Sequence, residues 1–153
     1  MRLYHYLLYV LFSIFVVSCD AEEDRNITYL DANVNGTTHM FNTFHVTEET
    51  QTEDDYTFTD VTVTASIEQS PDRLIAFIAE KNLLGTEACW YFAYIEDGHV
   101  FEKVDDSFVF DVHESTPNRI RGLFSGQLKS TETGEVINIT GGGFDIFYHR
   151  VFP

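Results

Sequence analysis

Basic residues are scarce in this chain. Its 153 residues include 9 Lys and Arg against 25 Asp and Glu, which gives a formal net charge of −16. A surface of this sign repels phosphate backbones and anionic lipid headgroups. The composition therefore excludes nucleic acid as a partner, while cationic partners and divalent ions stay open.

Long apolar runs are also rare, and the clearest one lies at the N-terminus. It follows Arg2, contains no acid and extends from Leu7 to Val17, interrupted by Ser13 alone. A membrane-spanning helix needs about 20 apolar residues. A cationic start and a shorter run favour a secretory signal peptide over a transmembrane anchor. We therefore expect residues 1–18 to be a cleaved leader.

The leader ends with Phe15, Val16, Val17 and Ser18, and Cys19 follows it. This segment resembles the lipobox of bacterial lipoproteins, in which aliphatic residues and a small one precede a cysteine. The resemblance implies cleavage after Ser18 and acylation of Cys19, for example with palmitate. Several acyl chains would hold the protein firmly on a membrane, because one chain binds only weakly. This covalent lipid is the one cofactor we predict, and an ordinary signal peptide with an incidental cysteine is the alternative.

An acidic segment comes directly after Cys19. Residues 20–24 hold four acids, which resist burial and repel one another, so residues 19–26 are predicted to be a solvated tether. The segment also resembles the acidic export signal of lipoproteins in Bacteroidetes-type bacteria. That resemblance implies a cell-envelope protein of the outer membrane, exposed at the cell surface. A plain linker would have the same composition.

Cysteine is nearly absent from the rest of the chain. Once Cys19 carries a lipid, Cys89 has no partner for an internal disulfide. Its neighbours Ala88, Trp90, Tyr91 and Phe92 are apolar, so we expect Cys89 to act as a small buried hydrophobe.

Alternating side chains dominate the sequence after Ile27. Val61, Val63 and Ala65 alternate with Thr62 and Thr64, and similar runs recur between turn residues. A period of two, with many Thr, Val and aromatic residues, predicts half-buried strands. Many short strands at this spacing indicate one all-β domain over residues 27–153, an antiparallel β-sandwich or a partly open barrel of about eight or nine strands.

Three segments of the domain are harder to interpret. Residues 72–84 fit either a capped helix or a strand buried on both faces, and the neighbouring strands favour the strand. Residues 48–60 are acidic and poor in aliphatic residues, which predicts a mobile hairpin loop. Gly141 to Gly143 lack the lysine and helix of a phosphate-binding loop, so a bulge or tight turn is expected.

The C-terminal third carries a family resemblance. It contains Ile120-Arg121-Gly122-Leu123-Phe124-Ser125, a glycine-containing hairpin, and then Ile139-Thr140-Gly141-Gly142-Gly143-Phe144-Asp145. These segments resemble the ending of a family of small Bacteroidetes-type lipoproteins of unknown function, and Ala32 to Gly36 resembles the opening strand of that family. The resemblance implies a β-sandwich and a lipid anchor, and it supplies no active site.

Catalytic and metal-binding patterns are weak. Asp31, Asn33 and Asn35 match the start of a calcium loop, but they lie on a strand, and the histidines show no ligand spacing. Ser125 lacks the glycine context of a nucleophile elbow. Paired acids, Asp54-Asp55 and Asp105-Asp106, leave a surface glycoside hydrolase with convergent carboxylates as the alternative function.

Aromatic residues are abundant, with 14 Phe, 8 Tyr and one Trp. We expect a domain of this size to leave some of them exposed, and an exposed aromatic patch marks a binding surface. We predict a non-catalytic binding or assembly module, held on the membrane by its lipid, for a glycan or an envelope protein. The residues predicted to form its patch are Tyr91, Tyr94, Phe101 and Tyr148.

Overall fold

The computed structural model describes residues 28–148. The predicted leader (1–18), Cys19 and the tether (19–26) lie outside these residues. The described chain forms nine strands and one short 3₁₀ turn, Thr86–Ala88. The strands are β1 (Tyr29–Val34), β2 (Thr37–Phe41), β3 (Thr43–Glu53), β4 (Tyr56–Ile67), β5 (Ser70–Glu80), β6 (Cys89–Glu96), β7 (His99–Thr116), β8 (Arg119–Ser130) and β9 (Val136–Phe147).

All nine strands belong to a single antiparallel sheet with the order β2-β1-β9-β8-β7-β6-β5-β4-β3. From β3 to β9, each strand pairs with the next one along the chain. The pairing of β1 with β9 then brings the first and last strands together. The sheet curves into an open half-barrel. The prediction of an antiparallel all-β fold is confirmed, and the curved sheet has the form of a partly open barrel.

The two edge strands of the sheet are consecutive in the chain, because Asn42 alone separates β2 from β3. The Asn42 backbone N–H donates to the Ser66 carbonyl at 3.0 Å. Its side-chain Oδ1 accepts a hydrogen bond from the Glu68 N–H at 2.9 Å. These two hydrogen bonds hold Asn42 at the point where the chain stops pairing with β1, as β2, and starts pairing with β4, as β3.

The alternating pattern places one set of side chains inside the curved sheet. On β4, Val61, Val63 and Ala65 are fully buried, and the threonines between them are partly exposed. Six phenylalanines from β5 to β9 pack against one another at the centre, with neighbouring ring centroids 4.5–6.4 Å apart: Phe77, Phe92, Phe108, Phe110, Phe124 and Phe144. Burial of each ring contributes about 2 kcal/mol, so this cluster is the main apolar core.

The prediction of a loop over residues 48–60 is wrong. Strands β3 and β4 continue through this segment and meet at a two-residue turn, Asp54-Asp55, whose φ values are 46° and 71°. Cross-strand threonine hydroxyls stabilise the hairpin: Thr50 pairs with Thr59 at 2.9 Å, and Thr52 with Thr57 at 3.0 Å. The strand preference of the threonines therefore outweighs the charge of the acids.

Two other predictions are confirmed. Most of the contested segment 72–84 is strand, since β5 continues to Glu80. The glycines of β9 lie at a bulge: Asp31 pairs with Gly143, whereas Asn33 pairs with Thr140, so β9 carries one extra residue there. Gly141 has a φ of +59°, a backbone conformation that glycine adopts without strain.

Candidate binding site

The ladder between β6 and β7 ends early. It joins Glu96 to His99 near the turn and stops at the pair Ala93–Glu102. On β7, four residues separate Lys103 from Phe108, whereas a single residue separates their partners on β8, Leu128 and Gly126. This irregularity lets β7 leave β6 while it continues to pair with β8.

The two diverging strands bound a cleft of about 740 Å³. The Gly85 N–H donates to the Val112 carbonyl at 2.8 Å, and this isolated bridge reconnects β7 to the segment that precedes β6. The cleft is therefore an interruption within a sheet, bounded by pairing at both ends. Its lining residues are Thr86, Glu87, Cys89, Trp90, Phe92, Lys103, Phe108, Val109 and Phe110.

The floor of the cleft is aromatic. Phe92 packs against Phe108 with a centroid distance of 4.5 Å and against Phe110 at 5.9 Å. All three rings are buried members of the core cluster. An apolar group that enters the cleft would contact rings that the core already holds in place.

Trp90 lies at the rim and is 54% exposed. Tyr91 pairs with Ile78 and Cys89 with Ala79, so Trp90 is the extra residue of a β-bulge on β6. A bulge turns a side chain away from its expected face.

A buried carboxylate fixes the orientation of this indole. Trp90 Nε1 donates to Asp60 Oδ1 at 3.1 Å, and Gln51 Nε2 donates to Asp60 Oδ2 at 3.4 Å. Asp60 is only 4% exposed. The nitrogen of Trp90 is thus occupied, while much of its ring remains open to solvent.

The polar groups of the cleft lie mainly at its rim. Thr86, Glu87 and Lys103 are exposed there. Cys89 is a buried wall residue whose Sγ donates to the Tyr91 carbonyl at 3.1 Å. Burial raises the pKa of the Cys89 thiol to about 12. A neutral thiol is a poor nucleophile, so Cys89 contributes apolar surface to the cleft.

The structure does not bring the four predicted patch residues together. Tyr94 is 0% and Phe101 5% exposed, and their rings pack 6.2 Å apart inside the sheet, which removes both from any surface patch. Tyr91 is partly buried beside Trp90. Tyr148 is partly buried elsewhere: its hydroxyl donates to the Thr116 carbonyl at 2.5 Å, and Lys81 Nζ lies 5.3 Å from its ring centroid.

The structure describes one of the two acid pairs considered for catalysis, because the side chains of Asp105 and Asp106 lie outside the described ones. Asp54 and Asp55 form the exposed β3–β4 turn. One pair that the sequence did not indicate is Asp72, near the start of β5, with Asp97 in the β6–β7 turn, and a side-chain hydrogen bond to Asp72 raises the pKa of Asp97. Ser125 lies within β8, opposite Val109. Within residues 28–148, no group of three or more His, Cys, Asp or Glu side chains is placed to hold a metal ion.

Among the described residues, no helix has both the length and the apolar character needed to cross a membrane. Comparisons of the chain with protein-family models, with curated proteins and with solved structures found no match.

Proposed function

We propose that this protein is an outer-membrane lipoprotein of the bacterial cell envelope, acylated at Cys19, whose domain binds a glycan or an envelope protein without catalysis. The observation that carries the binding role is the exposed, hydrogen-bonded Trp90 at the rim of the β6–β7 cleft. The observations that support the anchor are the short apolar run after Arg2, the lipobox-like residues 15–19 and the acidic segment after them.

The size and lining of the cleft suit a ligand. Binding sites for small ligands are usually clefts of about 300–1,000 Å³ with apolar walls and a few polar groups. This cleft combines buried phenylalanines, an exposed indole, one carboxylate and one ammonium group. Because Asp60 already orders the Trp90 side chain, a ligand that stacks on the indole would lose little additional entropy.

Two substitutions test the binding role in the full-length, lipid-anchored protein. Trp90→Ala should reduce binding to envelope glycan fragments or envelope proteins by at least about tenfold. Tyr29→Ala, which removes another exposed aromatic residue from β1, is the matched control and should bind as the wild type does. Equal binding by Trp90→Ala and wild type across both ligand classes would refute a role for the cleft.

A separate substitution tests the anchor. Cys19→Ala should release the protein from the membrane fraction, because no acyl chain can then be attached. Unchanged retention of this variant would refute acylation at Cys19.

The glycoside hydrolase alternative now depends on Asp72 and Asp97. A carboxyl with a raised pKa can act as a general acid beside a second carboxylate. Both residues are exposed, Asp72 on β5 and Asp97 in the β6–β7 turn, and neither lines the cleft. Release of reducing sugar from envelope polysaccharide by the wild type, and its loss in Asp97→Asn, would support the hydrolase over the binding module.

A further inference from the structure

We propose that the β6–β7 cleft binds an extended, positively charged peptide segment, which adds as a short strand where the sheet is interrupted. This inference rests on the proposed binding function and names the chemistry of the partner. Three features support it: the unpaired backbone edges of the cleft, its aromatic floor and the negative charge of the protein.

The backbone supplies the first argument. Between the pair Ala93–Glu102 and the Gly85–Val112 bridge, no ladder pair joins β6 to β7 in the described chain. Residues 89–92 of β6 and 108–110 of β7 therefore face each other across the cleft as interior edges. Such edges offer main-chain donors and acceptors to an added strand.

The antiparallel arrangement limits how a strand can enter. Because β6 and β7 run in opposite directions, an inserted segment is antiparallel to one of them and parallel to the other. Four residues of β6, 89–92, border the opening. At about 3.3 Å per residue this edge accommodates a bound core of about four residues.

The aromatic floor of the cleft determines which side chains are favoured at every second position of the bound peptide. Side chains of an extended peptide point to opposite faces in turn. One set would contact Phe92, Phe108 and Phe110, which favours apolar residues at these positions. The other set would project toward the rim, where Trp90 and Glu87 are exposed.

Charge favours lysine or arginine in that second set. The net charge of −16 attracts cations to the protein. At the rim, Glu87 supplies a carboxylate that offsets the ammonium group of Lys103, and Trp90 presents the face of an indole whose nitrogen is already bound to Asp60. An indole face attracts ammonium and guanidinium groups. The negative charge of the protein does not attract a neutral glycan. It therefore favours a cationic peptide over a glycan as the partner.

Synthetic hexapeptides test the proposal with the full-length protein in lipid nanodiscs. The first peptide alternates lysine with valine, the second alternates glutamate with valine, and the third is the lysine peptide with alternate backbone nitrogens methylated. We expect the lysine peptide to bind at least about tenfold more tightly than either of the others, because methylation removes main-chain donors and glutamate reverses the charge. Equal affinity of the methylated peptide would refute strand addition, and equal affinity of the glutamate peptide would refute the charge argument.

Charge-reversed variants locate the peptide in the cleft. Glu87→Lys should weaken binding of the lysine peptide about threefold, and Lys103→Glu should strengthen it by a similar factor. Glu135→Lys makes the same change in the exposed β8–β9 connection and is the matched control. Equal effects of Glu87→Lys and Glu135→Lys would place the peptide elsewhere.

The combined results separate the two proposals. If no peptide binds but Trp90→Ala loses glycan binding, the peptide inference fails and the binding module stands. If Trp90→Ala binds peptides, glycans and envelope proteins as the wild type does, both proposals fail.

Discussion

The ring of Phe124 lies against the backbone of Gly142. A Cβ atom added at residue 142 would lie 2.5 Å from Phe124 Cδ2 and 2.7 Å from its Cζ, well inside van der Waals contact. The missing side chain on β9 therefore creates the space that a core phenylalanine of β8 fills.

Gly142→Ala should destabilise the fold by about 1–3 kcal/mol, because Phe124 must leave its position in the core. The adjacent variant Gly143→Ala is the control, since its Cβ would make ordinary contacts of 3.6 Å to Asp31 and 3.7 Å to Leu123. Urea denaturation should show a lower midpoint for the first variant alone. Equal midpoints for the two variants would contradict the close contact.

Asp60→Ala should release the indole of Trp90. The chain contains a single tryptophan, so its fluorescence reports this residue alone. We expect emission at longer wavelength and stronger quenching by acrylamide, since the side chain loses its hydrogen bond to a buried acceptor. Asp60→Asn retains a carbonyl acceptor and should remain close to wild type. If both variants quench as wild type does, Asp60 does not hold the indole.

Cys89 should react slowly with a thiol reagent while the protein is folded. Its pKa of about 12 leaves almost no thiolate at pH 8, and its side chain is buried. Labelling should become fast after the protein is unfolded in urea. The full-length acylated protein suits this measurement, because acylation of Cys19 would leave Cys89 as the one free thiol. Rapid labelling under native conditions would show that the cleft wall opens.

Asp97 should make stability depend on pH in mildly acidic solution. Its hydrogen bond with Asp72 raises its pKa above the ordinary 3.8, so the folded state holds the shared proton more tightly than the unfolded chain does. The resulting stabilisation is present below pH 3.8 and is lost as the pH rises through the higher folded value.

Asp97→Asn should remove this dependence, and the urea midpoint of wild type relative to the variant should fall as the pH increases from 3.5 to 7. Glu135→Gln, another exposed acid, serves as the control and should follow the wild type. A constant difference between wild type and Asp97→Asn over this range would show that the two carboxyls do not share a proton.

Local pattern was sufficient to predict much of the fold. Alternation identified β4, because Val61, Val63 and Ala65 share one face whatever their partners are. The same reasoning failed at residues 48–60, where the acids Glu48, Glu49 and Glu53 suggested a loop. They lie on an edge strand of the sheet, a position in which charge hinders pairing with other chains.

The site was less predictable because it depends on irregular pairing between distant residues. Alternation predicts that Trp90 lies on the same face of β6 as Phe92. The structure differs because a bulge turns Trp90 outward, and this bulge can be seen only in the pairing of β6 with β5. Its partner Asp60 is 30 residues away. The long irregularity on β7 likewise appears only against β8. The number of aromatic residues predicted a binding surface, but the sequence did not show which of these residues the core would bury.

The pairing of β1 with β9 has a consequence for the order of folding. Among the described strands, residues 29–34 are made first, yet the strand that covers one side of them, Val136–Phe147, is made last. Ribosomes and translocation channels deliver a chain from its N-terminus, so the sheet cannot be completed before β9 has emerged. Such long-range closure slows folding and exposes unpaired strands for longer. Unpaired strands of this kind are prone to aggregate until the final hairpin has formed.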